Sequence, residues 1–113
     1  MSKSDQNSTL SKEQIEEVYG LYKNGQFKEA IFQIKTLNKI YPNVPLLFNL
    51  IGACYTSLGK LEGAVQMFKT AVSLKPDYAE AHKNLGNTLK ELGRLDESIE
   101  SFVKVTVIDP DLV

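Results

Sequence analysis

The sequence contains no tryptophan, a single cysteine (Cys54) and a single histidine (His82). A lone cysteine excludes an intramolecular disulfide and a cysteine-rich zinc site, and a lone histidine excludes a multi-histidine metal site. Net charge is also almost missing: 13 Lys and Arg face 14 Asp and Glu, leaving −1. Domains that grip nucleic acid carry a basic excess to neutralise phosphates, so no nucleic-acid partner is expected. Long apolar runs are absent. Stretches such as Val44 to Phe48, which contains Pro45, fall far short of the roughly 20 residues of a membrane helix, so no membrane partner is expected either. Met1 to Leu10 has no apolar core of the kind a secretory signal needs. Taken together, these absences describe a cytoplasmic protein, poorly supplied for enzyme chemistry and with no cofactor implied.

What is present is periodicity. Among 113 residues, 42% hydrophobic and 24% charged, there is material for one core. Pro42, Pro76 and Pro110 stand 34 residues apart, and so do Gly25, Gly59 and Gly93. Gly52 and Gly86, then Phe68 and Phe102, repeat the interval, and Ala30, Ala64 and Ser98 fall on the same grid. Self-similarity at such a period marks a repeat architecture. It divides the chain into units 11–44, 45–78 and 79–112, preceded by a small, polar segment, 1–10, expected to be a flexible tail.

Each unit reads as two helices. In the second, Leu46, Leu47, Leu50, Ile51, Cys54, Tyr55 and Leu58 recur at helical spacing, Gly59-Lys60 interrupts, and Leu61, Ala64, Val65, Phe68, Val72 and Leu74 resume it. Proline then ends the unit, because it cannot continue the hydrogen-bond ladder. The third unit follows suit, its last helix running from Leu95 to Ile108. The glycine after each first helix suits a left-handed position just beyond the helix end. Ser11 and Gln14 have the spacing of a capping box that opens the first helix.

These residues resemble the tetratricopeptide repeat (TPR), a 34-residue helix–turn–helix. The second unit carries the resemblance through Phe48, Ile51, Gly52, Tyr55, Gly59, Ala64, Phe68, Ala71 and Pro76, and the third through His82, Leu85, Gly86, Leu89, Gly93, Ser98, Phe102, Val105 and Pro110. The first unit departs from the pattern at the large/small pair of its first helix, as a terminal repeat does. The stretch from Ala79 to Arg94 is similar to arrays of O-GlcNAc-transferase-like and bacterial TPR proteins. The resemblance implies an all-α, right-handed superhelical solenoid of three units. Gly52, Ala64, Ala71 and Gly86 would let helices approach, and Tyr55, Phe68 and Phe102 would fill the space they leave.

The family's first helices line a concave groove. That register turns inward Lys12, Ile15, Tyr19, Tyr22 and Lys23, then Leu46, Asn49, Ala53, Thr56 and Ser57, then Glu80, Lys83, Asn84, Asn87, Lys90 and Glu91. An extended peptide from a partner protein suits such a surface, with tyrosines as anchors and amides bonding its backbone. Chaperone-adaptor TPRs hold a terminal carboxylate with Lys, Asn and Arg. The corresponding places here are Ile15, Tyr19, Leu50, Glu80 and Asn84, which do not supply that clamp. Of the asparagine ladder in O-GlcNAc-transferase-like arrays, only Asn84 is in place.

No other motif carries chemistry. His82 stands where the family often has a large aromatic, Cys54 lies on an apolar stripe and reads as a small hydrophobe, and Asp96, Glu97 and Glu100 complement the dipole of the last helix. Gly59-Lys60 and Gly93-Arg94 lack the glycine spacing of a phosphate loop, and Asn87-Thr88-Leu89 is no glycosylation sequon. The last helix also carries Phe102, Val103 and Val107, with no polar capping helix after it, so self-association into a homo-oligomer through this face is expected. The reading that results is a protein–protein interaction module or scaffold without catalysis. The alternatives are a substrate-presenting segment of a larger glycosyltransferase or sulfotransferase, and a structural self-association unit.

Overall fold

Three helical hairpins follow one another along the chain in a computed structural model that describes residues 9–112. The elements are α1 (Lys12–Lys23), α2 (Phe27–Ile40), α3 (Pro45–Ser57), α4 (Leu61–Leu74), α5 (Ala79–Glu91) and α6 (Leu95–Ile108), then a 3-10 turn at Pro110–Leu112. No strand occurs among the described residues. The segment expected as a tail lies outside them, apart from Thr9 and Leu10, and Leu10 is half-buried against the first core cluster.

The turn inside each hairpin has the same construction. Gly25, Gly59 and Gly93 take φ of +77°, +77° and +79°. Their amides donate to Tyr22, Thr56 and Lys90, and the next residue's amide reaches back to Leu21, Tyr55 and Leu89 at 2.9, 2.8 and 2.9 Å. This pair of bonds is a Schellman closure, which satisfies carbonyls that a helix end leaves open. Helix α1 starts with the capping box: Gln14 N donates to Ser11 Oγ at 3.1 Å and Ser11 N to Gln14 Oε1 at 2.9 Å. Helix α3 starts on Pro45, whose missing N–H costs nothing at a first turn.

Within units two and three the hairpins close on a glycine. A Cβ on Gly52 would lie 2.6 Å from the Phe68 ring, and one on Gly86 would lie 2.9 Å from the Phe102 ring. The first unit reaches the same packing differently. Val18 occupies the place of the glycine and Ile34 the place of the phenylalanine, and both are buried. A larger residue on one helix is offset by a smaller one on the other, which is why the departure from the repeat pattern is tolerated. Ser98, the polar replacement for Ala30 and Ala64, is buried but satisfied, its Oγ donating to Gly86 O at 2.8 Å.

The core continues from one unit into the next. One cluster joins Val18, Ile34, Leu37, Leu47, Leu50, Ile51 and Cys54 from α1, α2 and α3; a second joins Ala64, Val65 and Phe68 of α4 to Leu85 and Leu89 of α5. Tyr55 packs against both. Each fully buried large side chain contributes about 1.5–3 kcal/mol. The stack extends 47 × 28 × 22 Å.

Candidate functional site

Helix α3 offers side chains to two opposite sides. At 3.6 residues per turn, Ala53, Thr56 and Ser57 point one way and Phe48, Ile51 and Tyr55 the other. On the first side, the three first helices build a hollow of about 180 Å³. Tyr22 of α1, Ala53, Thr56 and Ser57 of α3, and Asn84, Asn87, Thr88 and Glu91 of α5 line it, with Phe68 of α4 behind. Seven of the residues expected in a groove are thereby brought together: Tyr22, Ala53, Thr56, Ser57, Asn84, Asn87 and Glu91.

The others are placed around it. Tyr19 stacks on Tyr22 with ring centroids 6.2 Å apart, Lys23 Nζ lies 5.5 Å from the Tyr19 ring, and Tyr22 meets Phe27 edge-on. These contacts stiffen the aromatic end. Asn49 accepts a 3.0 Å hydrogen bond from Asn84 Nδ2, which ties the second and third units together across the face. Lys12 pairs with Glu16 at 4.0 Å on the exposed side of α1. Ile15 and Lys83 are half-buried and Lys90 is exposed, outside the hollow's wall.

Two lining residues escaped the sequence reading. Thr88 was hidden by its neutrality, although it stands one helical turn from Asn84 and its Oγ1 donates to Asn84 O at 2.8 Å. Phe68 belongs to a second helix, and only the missing side chain of Gly52 lets its ring through to this face.

Charge in the hollow is confined to Glu91; amides and hydroxyls supply the remaining polar groups. Beside it, burial pushes the Tyr78 phenol above its usual pKa, a hydrogen bond with the Asn49 side chain pulls it back, and Glu80 adds to the rise. The phenol is therefore neutral at physiological pH. Leu50, at the ladder position equivalent to Asn84, is buried in the core and offers no polar group.

Other titratable groups lie in packing and ion-pair contacts away from the hollow. A ring nitrogen of His82 lies 2.8 Å from Pro76 O, inside the joint between units two and three. Burial pushes the Cys54 thiol up to about 11, so it carries no thiolate at neutral pH. Arg94 grips Glu97 with two bonds of 2.8 and 3.1 Å and reaches Glu62 at 3.2 Å, while Lys69 approaches Glu97 at 3.6 Å. The Arg94 guanidinium holds the Glu97 carboxyl below its ordinary range. Among the described residues, no group of three or more His, Cys, Asp or Glu could hold a metal ion, and no helix is long and apolar enough to cross a membrane.

The end of the stack differs from its middle. The Phe102 ring packs on Gly86 within its own unit, whereas Leu95, Ile99, Val103 and Val107 form an exposed apolar stripe along α6. Val65, one repeat earlier than Ile99, is fully buried under α5; Ile99 is 60% exposed.

Two family descriptions match the chain: "TPR repeat" over residues 52–93 and "Tetratricopeptide repeat" over residues 79–112, which together span more than half of it. The chain is 36% identical over 56 residues to anaphase-promoting complex subunit 3 of Dictyostelium discoideum, a match covering 50% of this chain and 6% of that protein. It is 32% identical over 60 residues to the peroxisomal targeting signal receptor of Kluyveromyces lactis, covering 53% of this chain and 11% of the receptor. It thus spans a small fraction of either relative. Among solved structures, the first TPR of Spaghetti (RPAP3) bound to HSP90 peptide SRMEEVD superposes with a TM-score of 0.81 at 25% identity, over 84% of this chain and 75% of that one.

Proposed function

The chain belongs to the tetratricopeptide repeat family, and from that premise we propose that it is a protein–protein interaction module whose inner face holds an extended peptide of a partner, with no catalysis of its own. The observation that carries this reading is the hollow shared by α1, α3 and α5. A stiffened tyrosine wall faces amides and hydroxyls from the other two units, which is the equipment for anchoring one side chain and bonding a peptide backbone. The similar Spaghetti domain is described with an acidic peptide bound. This chain calls for a different kind of peptide. Leu50 is buried, and Glu80 would repel a carboxylate, so recognition rests on internal side chains and backbone rather than on a terminal carboxylate.

A peptide-display selection followed by calorimetry tests this. Selected peptides are expected to weaken by about tenfold or more against Tyr22→Ala, the scale of an anchoring residue. C-terminal amidation of those peptides is expected to leave affinity unchanged. Affinity indifferent to Tyr22→Ala would remove the proposed site, and affinity lost on amidation would reinstate a carboxylate clamp.

A second reading, self-association through the last helix, has its own observation in the exposed stripe of Leu95, Ile99, Val103 and Val107. Contiguous apolar surface of this kind marks an interaction site. The two readings use different faces and are compatible.

A further inference from the structure

The hollow on the inner face lies at one end of the helices that build it. Tyr22 is next to last in α1, Thr56 and Ser57 close α3, and Glu91 closes α5. Each first helix therefore brings its C-terminal end to the site, where aligned peptide dipoles leave partial negative charge and favour a cation. The chain supplies no cation to the hollow. Helix α3 has no basic residue in its last turn. Lys23, in the last turn of α1, sits over the Tyr19 ring, and Lys90, in the last turn of α5, is exposed outside the hollow's wall.

Glu91 sharpens the imbalance, and the repeat supplies its own control. The same position is Lys23 in the first unit and Ser57 in the second. A carboxylate at the C-terminal end of a helix has the disfavoured sign, so the stability of α5 does not account for it. Glu91 is exposed and has no ion-pair partner among the described residues. The hydrogen bonds nearby share the bias. Thr56 Oγ1 donates its only proton to Gly52 O at 3.1 Å and is left with lone pairs to offer. Asn84 commits an N–H to Asn49, and its Oδ1 remains an acceptor. Ser57 and Asn87 can take either role. The hollow thus presents negative charge and acceptors, and it calls for donors that carry positive charge.

We infer that the side chain anchored in this hollow is an arginine of the partner peptide. The inference rests on the groove reading and names the residue that reading leaves open. At about 180 Å³ the hollow holds one side chain, being smaller than the roughly 300–1,000 Å³ of small-molecule sites. A guanidinium carries five N–H donors in a fixed, planar fork. Two of them match the Glu91 carboxylate, which leaves others for Thr56 Oγ1 and Asn84 Oδ1. Its flat face suits the ring of Tyr22 on the facing wall. Lysine brings the charge without the fork, tyrosine brings a ring without the charge, and an acidic side chain is repelled by Glu91.

The test is an NMR titration of the whole chain, read at the Asn84 and Asn87 side-chain amides. The probes are N-acetyl-argininamide, N-acetyl-lysinamide and N-acetyl-citrullinamide, the last having the shape of arginine without its charge. The arginine probe is expected to shift both amides and to bind about fivefold more tightly than the citrulline probe, the scale of one well-formed, partly exposed charge pair. It is also expected to bind more tightly than the lysine probe. Glu91→Gln, an exposed change that removes a disfavoured charge from a helix end and so suits the fold, is expected to bring arginine binding down to the citrulline level. Equal binding of arginine and citrulline, a preference that survives Glu91→Gln, or lysine binding as tightly as arginine would each overturn the inference. Display-selected peptides separate this failure from that of the groove itself. Peptides that weaken with Tyr22→Ala yet lack arginine and ignore Glu91→Gln would overturn arginine and leave the groove reading standing, whereas indifference to Tyr22→Ala would remove both.

Discussion

Gly52 shows how much one hydrogen atom decides in this chain. The Phe68 ring occupies the place a Cβ would take, 2.6 Å away, and the ring is itself enclosed by the second core cluster. Gly52→Ala is expected to lower unfolding free energy by about 1–3 kcal/mol, the range for overpacking a filled core. Adding Phe68→Ile should recover part of that loss, because Val18 and Ile34 solve the same contact with a larger and a smaller partner. Urea denaturation of the single and double variants checks this, and an unchanged midpoint for Gly52→Ala would refute it. The recurrence of the glycine and the phenylalanine was legible from spacing, and their packing was what the repeat resemblance implied. The Val18–Ile34 compensation was not, since neither residue announces its partner until two helices are in contact.

The element that repeats most faithfully is the hairpin turn. Gly59 has open space around its Cα, so a side chain there meets no atom and the only cost of replacing it is backbone strain. At φ +77° an L-residue is disfavoured by about 1–2 kcal/mol. Gly59→Ala is expected to lower stability by that amount, and Gly59→Asn by less, because asparagine visits the left-handed region more readily. Thermal melts of the two variants should rank in that order; equal melting of Gly59→Ala and the wild type would mean the turn relaxes to another geometry. Glycine followed by a basic residue marked the second and third of these turns in the sequence. What Arg94 does after its turn, gripping Glu97 within its helix and reaching Glu62 of the neighbouring unit, needed the stack to bring Glu62 close.

At the scale of the whole molecule, stability is a matter of neighbours. Val65 is covered because α5 lies on it, and Ile99 is uncovered because no helix among the described residues does the same for α6. Sedimentation equilibrium across a wide concentration range is expected to show a mass rising with concentration. The double substitution Val103→Glu and Val107→Glu should return it to the monomer, while Tyr19→Ala in the groove should leave association intact. A concentration-independent monomer mass for the unaltered chain would sink self-association through this face.

The repeat period, the turn glycines and the division of each unit into two helices were written in the sequence, because each depends on local spacing within one 34-residue unit; Phe102, expected on the exposed face of the last helix, instead packs on Gly86, while Leu95 and Ile99 join Val103 and Val107 outside. The contacts across the inner face were not legible from spacing. That Asn84 bonds Asn49 and that Phe68 reaches the groove both depend on which residues of different units meet. Periodicity sets where a helix lies but not what stands opposite each side chain, and stacking decides that by bringing together residues that lie far apart in the chain.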